Sequence, residues 1–207
     1  MKYLIGILSI GFMLASYFQK VDNRQAQQNL EDIPALTVPQ TITEKDKLNY
    51  QNHSSTWTLE GQAYSGFVES YFKDGSIKQR FGVLDGLKQG ESVDWFADGH
   101  PKFSSHYYQG KLHGEKIIWY SDSNHHVASQ LNYHMGKLNG LQKKWYSTGE
   151  IFKLLNLKMG EEYGMQQAYR KNGVLYANYE AREGRVFGLK RASLCFELEN
   201  ENLVYGK

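Results

Sequence analysis

Apolar and polar residues alternate along much of this chain. After each of three turn-like glycines, apolar residues fall on one parity for eight residues or so, with polar residues between them. These apolar series are Ile77, Phe81 and Val83; Ile151, Leu155, Leu157 and Met159; and Leu175, Ala177, Tyr179 and Ala181. A two-residue period is that of a β-strand with one face buried, so the pattern predicts strands.

Short turn-forming segments separate the predicted strands. They are Lys73-Asp74-Gly75, Ala97-Asp98-Gly99, Ser147-Thr148-Gly149 and Lys171-Asn172-Gly173. Glycine, and less readily Asn and Asp, tolerate the positive φ of tight turns. No room is left for a crossover helix between strands, so we expect β-hairpins in an antiparallel sheet.

The hairpins recur as copies of one unit. Six marker glycines are spaced by 24, 24, 26, 24 and 24 residues, and a second glycine stands four residues before all but the first. The marker glycines are Gly66, Gly90, Gly114, Gly140, Gly164 and Gly188. The longer spacing comes from the segment 121–126, which replaces a tight turn. The chain is therefore predicted to be a repeat array.

An aromatic pair follows most marker glycines. Its first members form one column, Tyr71, Trp95, Trp119, Trp145 and Tyr169. The next residues form a second column, Phe72, Phe96, Tyr120, Tyr146 and Arg170. Neighbouring strand residues face opposite ways, so two ladders are expected. We interpret the first column as mainly structural and the second as the candidate binding surface of a partly open sheet face.

The pattern of glycine, four residues, aromatic pair and glycine, as in GKLNGLQKKWYSTG, resembles the MORN repeat in its bacterial, YwqK-like variant. The resemblance covers about residues 57–198. It implies one elongated, twisted antiparallel sheet, no catalytic residue, and a role as an antitoxin, a membrane attachment, a lipid-contacting protein or a protein scaffold. The sixth unit departs from the motif at Ser193-Leu194, so residues 188–207 are interpreted as a capping hairpin after an array over residues 57–187.

The N-terminal residues differ in character from the array. Residues 1–19 combine a basic start with an apolar run, which predicts a helical signal peptide or signal anchor; a buried first helix is the alternative. The run is short for a membrane span. Residues 20–56 lack glycine and hold two of the three prolines, so they are predicted to be a polar linker.

Composition and motifs argue against several functions. The net charge is only +2, which disfavours nucleic-acid binding. The seven histidines lack the spacing of a zinc motif: His100 and His106 are six residues apart, and His125 and His126 are adjacent. Cys195 lies in an apolar strand pattern and is expected to be core filler. No serine elbow or phosphate loop is present in the sequence.

These observations predict an all-β, noncatalytic binding or scaffolding module of the bacterial cell envelope. We expect a protein partner, membrane contact through the N-terminal segment, and neither a cofactor nor a metal. The alternatives are a toxin-neutralising protein, an envelope enzyme using His106, Glu115 or Cys195, and direct lipid or glycan binding by the repeats.

Overall fold

A computed structural model describes residues 36–189, 196–199 and 202–205. The prediction of an all-β fold with one long, twisted antiparallel sheet of successive hairpins is confirmed. The expected N-terminal helix lies outside the described residues. Within them, no helix has the length and apolar character that crossing a bilayer requires.

Thirteen strands form the long sheet. The order is β1-β5-β6-β7-β8-β9-β10-β12-β13-β14-β15-β16, with β11 paired to β10. A second sheet holds β2-β3-β4, and β17 and β18 form a separate antiparallel pair. The strands are β1 Ile42–Glu44, β2 Asn49–Gln51, β3 Thr56–Leu59, β4 Gln62–Ala63, β5 Gly66–Tyr71, β6 Ile77–Leu84, β7 Leu87–Trp95, β8 Pro101–Tyr108, β9 Lys111–Trp119, β10 Val127–His134, β11 Lys137–Leu138, β12 Gly140–Trp145, β13 Ile151–Lys158, β14 Glu161–Tyr169, β15 Leu175–Arg182, β16 Arg185–Leu189, β17 Phe196–Glu199 and β18 Asn202–Tyr205.

Each predicted turn glycine closes a hairpin. In the first unit, Phe72 N–H donates to Ser76 O at 2.8 Å and Gly75 N–H donates to Phe72 O at 3.0 Å, which leaves a loop of three residues. The side chain of Asp74 then accepts from Ser76 N–H at 2.9 Å. Copies of this turn recur at Phe96, Tyr146 and Arg170, and a longer loop after Tyr120 closes the third hairpin, so the five predicted hairpins turn at one edge of the sheet.

Two-residue turns on the other edge join one hairpin to the next. Asp85 and Gly86 have φ of +50° and +80° between the paired residues Leu84 and Leu87. Positive φ at both central residues defines a type I′ turn, whose twist suits a hairpin. The second glycines of the repeat therefore serve this turn, and the residue before each of them also has positive φ.

Backbone hydrogen bonds also connect turns in neighbouring hairpins. Gly86 N–H donates to Tyr64 O at 2.8 Å, and Gly110 N–H donates to Lys88 O at 2.8 Å. Equivalent bonds join Gly136 to Leu112 and Gly160 to Leu138. The repeat period thus sets a regular contact between successive units, in addition to the ladder of the sheet.

The two faces of the sheet can be followed from strand to strand by register. The front face carries Ile117, Gln130, Lys143, Leu154 and Gln167, each directly opposite the next. The back face carries Phe81, Ser92, Ser105, Lys116 and Leu131 in the same way.

The structure differs from the predicted polar linker over residues 36–56. The β1 strand pairs in parallel with β5, residues 45–47 form a 3₁₀ helix, and Val38 and Leu48 are buried. The first hairpin has no preceding repeat, so β1 covers its open edge. Trp57 and Tyr64 cover its back face together with Leu48.

The main apolar core lies at this N-terminal end of the array. It comprises Leu48, Trp57, Tyr64, Val68, Phe81 and Val83, with Leu59 packed against it. The predicted array start at residue 57 also differs, because β3 and β4 belong to the small sheet that caps the first hairpin. At the other end, β17 and β18 form a hairpin within the predicted cap, whereas Cys195 lies outside the described residues.

Candidate functional site

The second aromatic column lies at the edge of tight turns. Each of its five members begins such a turn or the longer loop of the third unit, and its N–H bonds the carbonyl that closes the turn at 2.8 to 2.9 Å. All five side chains are half-buried: Phe72, Phe96, Tyr120, Tyr146 and Arg170. The five predicted binding residues therefore occupy the same position, the first residue of each turn or loop.

Two members of this column also tie hairpins together. The hydroxyl of Tyr120 donates to Trp145 O at 2.8 Å, and that of Tyr146 donates to Tyr169 O at 2.9 Å. Phe72 and Phe96 lack a hydroxyl; instead, the ammonium groups of Lys78 and Lys102 lie 5.7 and 5.9 Å from their ring centroids. The column therefore combines structural contacts with partly exposed rings.

The first aromatic column contributes to a cavity on the front face. The cavity has a volume of about 360 Å³ and lies between the third and fourth hairpins. Its lining residues are Ile117, His126, Val127, Gln130, Trp145 and Gly149. This volume is at the lower end of the range for small-molecule sites, roughly 300 to 1,000 Å³. The column that we interpreted as mainly structural thus also borders open surface.

A second surface on the front face lies on the last strands, which we call the terminal patch and define as Met165, Glu180, Arg182 and Phe187. Met165 is directly opposite Glu180, and Glu180 is directly opposite Phe187. Met165 and Phe187 are 44% and 54% exposed, so the patch presents apolar side chains to solvent. Arg182 Nε donates to Glu180 Oε1 at 2.7 Å, so Arg182 and Glu180 form an ion pair within the patch.

The back face holds a lysine between two rings. Lys88 Nζ lies 4.4 Å from the ring centroid of Phe81 and 4.8 Å from that of Tyr107. Burial lowers the pKa of Lys88, and the nearby carboxylate of Asp94 opposes that shift. Asp94 in turn accepts from Gln79 Nε2 at 2.9 Å. This cluster stabilises the first two hairpins by cation–π and charge-assisted contacts.

Side chains from two neighbouring loops meet at the tight-turn edge. Asp98, His100 and His125 each place one potential metal-binding atom within 4.8 Å of the others. The rings of His100 and His125 stack with centroids 3.4 Å apart. His126 points to the next turn instead, with Nδ1 2.8 Å from Ser147 O. Sequence spacing did not reveal this group, because only the alignment of successive hairpins brings it together.

The three residues considered for an enzyme are not joined by any described contact. Glu115 accepts a hydrogen bond from Gln130 Nε2, across the β9 and β10 pair. His106 lies on β8 opposite Glu91. Cys195 is outside the described residues. An envelope enzyme built on these residues stays a prediction.

The sequence was compared with protein-family models and with curated proteins. The chain matches no protein-family model, and no curated protein matches it. The function proposed below therefore depends on the surfaces of the sheet.

Proposed function

We propose that this chain is a noncatalytic binding or scaffolding module of the bacterial cell envelope that holds a protein partner on the front face of its sheet. The single observation that carries the proposal is the exposure of Met165 and Phe187 beside the Glu180–Arg182 ion pair. Aromatic residues, Met and Arg are enriched at protein interfaces, with charged groups at the rim. Their combination supports a protein partner.

The arrangement of the two faces supports the choice of the front face. At the first hairpin the back face is covered by Trp57 and Tyr64, which are 9% and 7% exposed. The front face carries both the terminal patch and the cavity beside Trp145; Trp145 on β12 and Met165 on β14 are separated by one strand, β13. A long partner segment could contact both, since repeat arrays present extended binding surfaces. Partly exposed rings of the second column, such as Phe72 and Phe96, would border this interface.

The anchoring role belongs to the N-terminal segment in this proposal. The sequence of residues 1–19 predicts export or anchoring, which would place the array in the envelope. The repeats themselves would bind the partner. A toxin that the chain neutralises is one form such a partner could take, as the resemblance to MORN repeats implies.

Site-specific photocrosslinking in bacteria that express the full chain tests the proposal. A photoreactive phenylalanine analogue replaces Phe187 on the front face or, as a matched control, its neighbour Val186. Both side chains are at least 40% exposed, but successive strand residues point to opposite faces. We expect a discrete protein adduct from position 187 and none from position 186. Met165→Ser should remove most of that adduct without changing the amount of folded protein.

Other outcomes would separate the alternatives. Equal adducts from both positions, or none from either, would contradict a protein-binding front face. Adducts with lipid alone would favour direct membrane contact by the repeats. A catalytic activity lost in Glu115→Gln but retained in Met165→Ser would favour the enzyme alternative.

A further inference from the structure

Two neighbouring hairpins bring ligand-type side chains together at the tight-turn edge. Asp98 and His100 belong to the turn of the second hairpin, where Asp98 Oδ1 accepts from His100 N–H at 3.0 Å. His125 belongs to the longer loop of the third unit. In that loop the carbonyl oxygen and the carboxylate of Asp122 both accept from His125 N–H, at 3.2 and 3.1 Å. The two extra residues of the third unit therefore position His125 beside the preceding turn.

The loop holds His125 in an uncommon state. Its φ is +49°, in the left-handed region that a non-glycine residue seldom adopts. Its Nδ1 atom is shielded from solvent and has no hydrogen-bond partner. Buried polar atoms of this kind are rare and call for an explanation, and an unplaced ion is one of the recognised explanations.

Asp98 supplies a carboxylate to the same group. Its Oδ1 lies 3.4 Å from Nδ1 of His100. A carboxylate oxygen is one of the ligand types that Zn²⁺ accepts beside imidazole nitrogen.

We propose that Asp98, His100 and His125 bind a divalent transition-metal ion of the zinc type and so connect the second and third hairpins. Two imidazole nitrogens and one carboxylate oxygen suit Zn²⁺, whereas Mg²⁺ and Ca²⁺ prefer oxygen ligands alone. Three protein ligands leave one tetrahedral position for water or for a donor from another molecule.

Binding requires a small rearrangement of the side chains. Ligand atoms of a tetrahedral zinc site are about 3.4 Å apart, given bonds of about 2.1 Å. The present group is looser, and its two rings are stacked with an interplanar angle of 10°. Imidazole lone pairs lie in the ring plane, so one ring must turn. The ring of His100 can turn, because its side chain is 51% exposed.

Isothermal titration calorimetry with ZnCl₂ tests the proposal on the full chain without a histidine tag. We expect one saturable site, weakened at least about tenfold in His100→Ala and in His125→Asn. Asn is chosen at position 125 because it tolerates the left-handed conformation. His53→Ala is the matched control, since it removes one exposed histidine from the turn between β2 and β3 and should leave affinity unchanged.

Two further readouts keep the result unambiguous. MgCl₂ should give no saturable binding, because Mg²⁺ prefers oxygen ligands alone. Thermal unfolding of each variant without metal checks that the chain is folded. Absence of a saturable zinc site in the folded wild-type chain would overturn the proposal. Equal affinity in wild type, His100→Ala and His125→Asn would do so as well.

Discussion

A single hydroxyl group separates two kinds of residue in the second aromatic column. Tyr120 and Tyr146 use theirs to bond a carbonyl of the next hairpin, whereas Phe72 and Phe96 have none to use. A tyrosine in this column is therefore part of the connection between units, and its loss would affect stability as well as any binding. The two phenylalanines are the cleaner positions at which to test contact with a partner.

Tyr179 predicts a pH dependence at the residue scale. Burial, followed by the hydrogen bond to Glu162, raises its pKa to about 12 from the ordinary value of 10.0. The folded state thus favours the neutral phenol. This contribution to stability is complete below pH 10 and is lost as the pH rises through about 12, because the unfolded chain ionises first.

We therefore expect wild-type stability to fall more steeply than that of Tyr179→Phe over this alkaline window. Urea unfolding at intervals from about pH 8 to about pH 12 measures the difference. Tyr163→Phe is the control, because Tyr163 is 53% exposed. Parallel pH curves for wild type and Tyr179→Phe would show that the phenol has no linked effect.

At the scale of elements, glycines with similar backbone angles lie in different surroundings. Gly86 and Gly184 both end type I′ turns, with φ of +80° and +72°. A Cβ on Gly86 would lie 2.2 Å from Cγ2 of Thr56, on the strand that also carries Trp57. A Cβ on Gly184 would meet nothing within 4 Å. The small sheet of β2, β3 and β4, which we call the N-terminal cap, therefore approaches the long sheet closely at this first type I′ turn.

Alanine substitution should separate the cost of the left-handed backbone from the cost of the contact with Thr56. Gly184→Ala carries the cost of a left-handed non-glycine residue, about 1 to 2 kcal/mol. Gly86→Ala should lose a further ~1 to 3 kcal/mol, because the cap must shift to admit a methyl group. Chemical denaturation of both variants gives the comparison. Equal losses would mean that the cap does not restrain the turn.

The elements that were predicted correctly are those encoded locally. Strand alternation and turn glycines lie within a few residues of each other, so the five hairpins could be inferred directly. The packing of residues 36–64 on the first hairpin could not, because Val38 and Leu48 lie in a stretch with few apolar residues, and contact with the hairpin is what buries them. The group of Asp98, His100 and His125 depends on the alignment of two hairpins, which spacing in the sequence does not express.

At the scale of the whole array, apolar burial is uneven. The fully buried side chains Val68 and Phe81 belong to the first hairpin. In later units the corresponding interior is partly polar, as at Gln142 and Gln166. Gln142 Nε2 donates to Asn132 O at 3.2 Å, and Gln166 Nε2 donates to Asn156 O at 2.6 Å. These side-chain amides join strands where the regular backbone ladder is interrupted. They bury less apolar surface than Val68 and Phe81 do in the first hairpin.

This gradient predicts where the array opens. In repeat proteins each unit depends on its neighbours, so units can open from an end. Native-state hydrogen exchange should find the slowest amides in β5, β6 and β7 and faster ones in β15 and β16. Leu48→Ala should accelerate exchange mainly in the first hairpin, since Leu48 packs in that core. Uniform protection along the sheet would contradict the prediction.

The turns on the two edges of the sheet differ in their tolerance of inserted residues. Gly110 bonds Lys88, 22 residues earlier, but Gly136 bonds Leu112, 24 residues earlier, at a comparable 2.7 Å. The additional pair of residues is accommodated entirely in the loop at 121–126. Peptides could therefore be grafted into the tight turns on that edge while the unit-to-unit spacing is kept, whereas lengthening the type I′ turns would displace the glycine N–H on which that spacing depends.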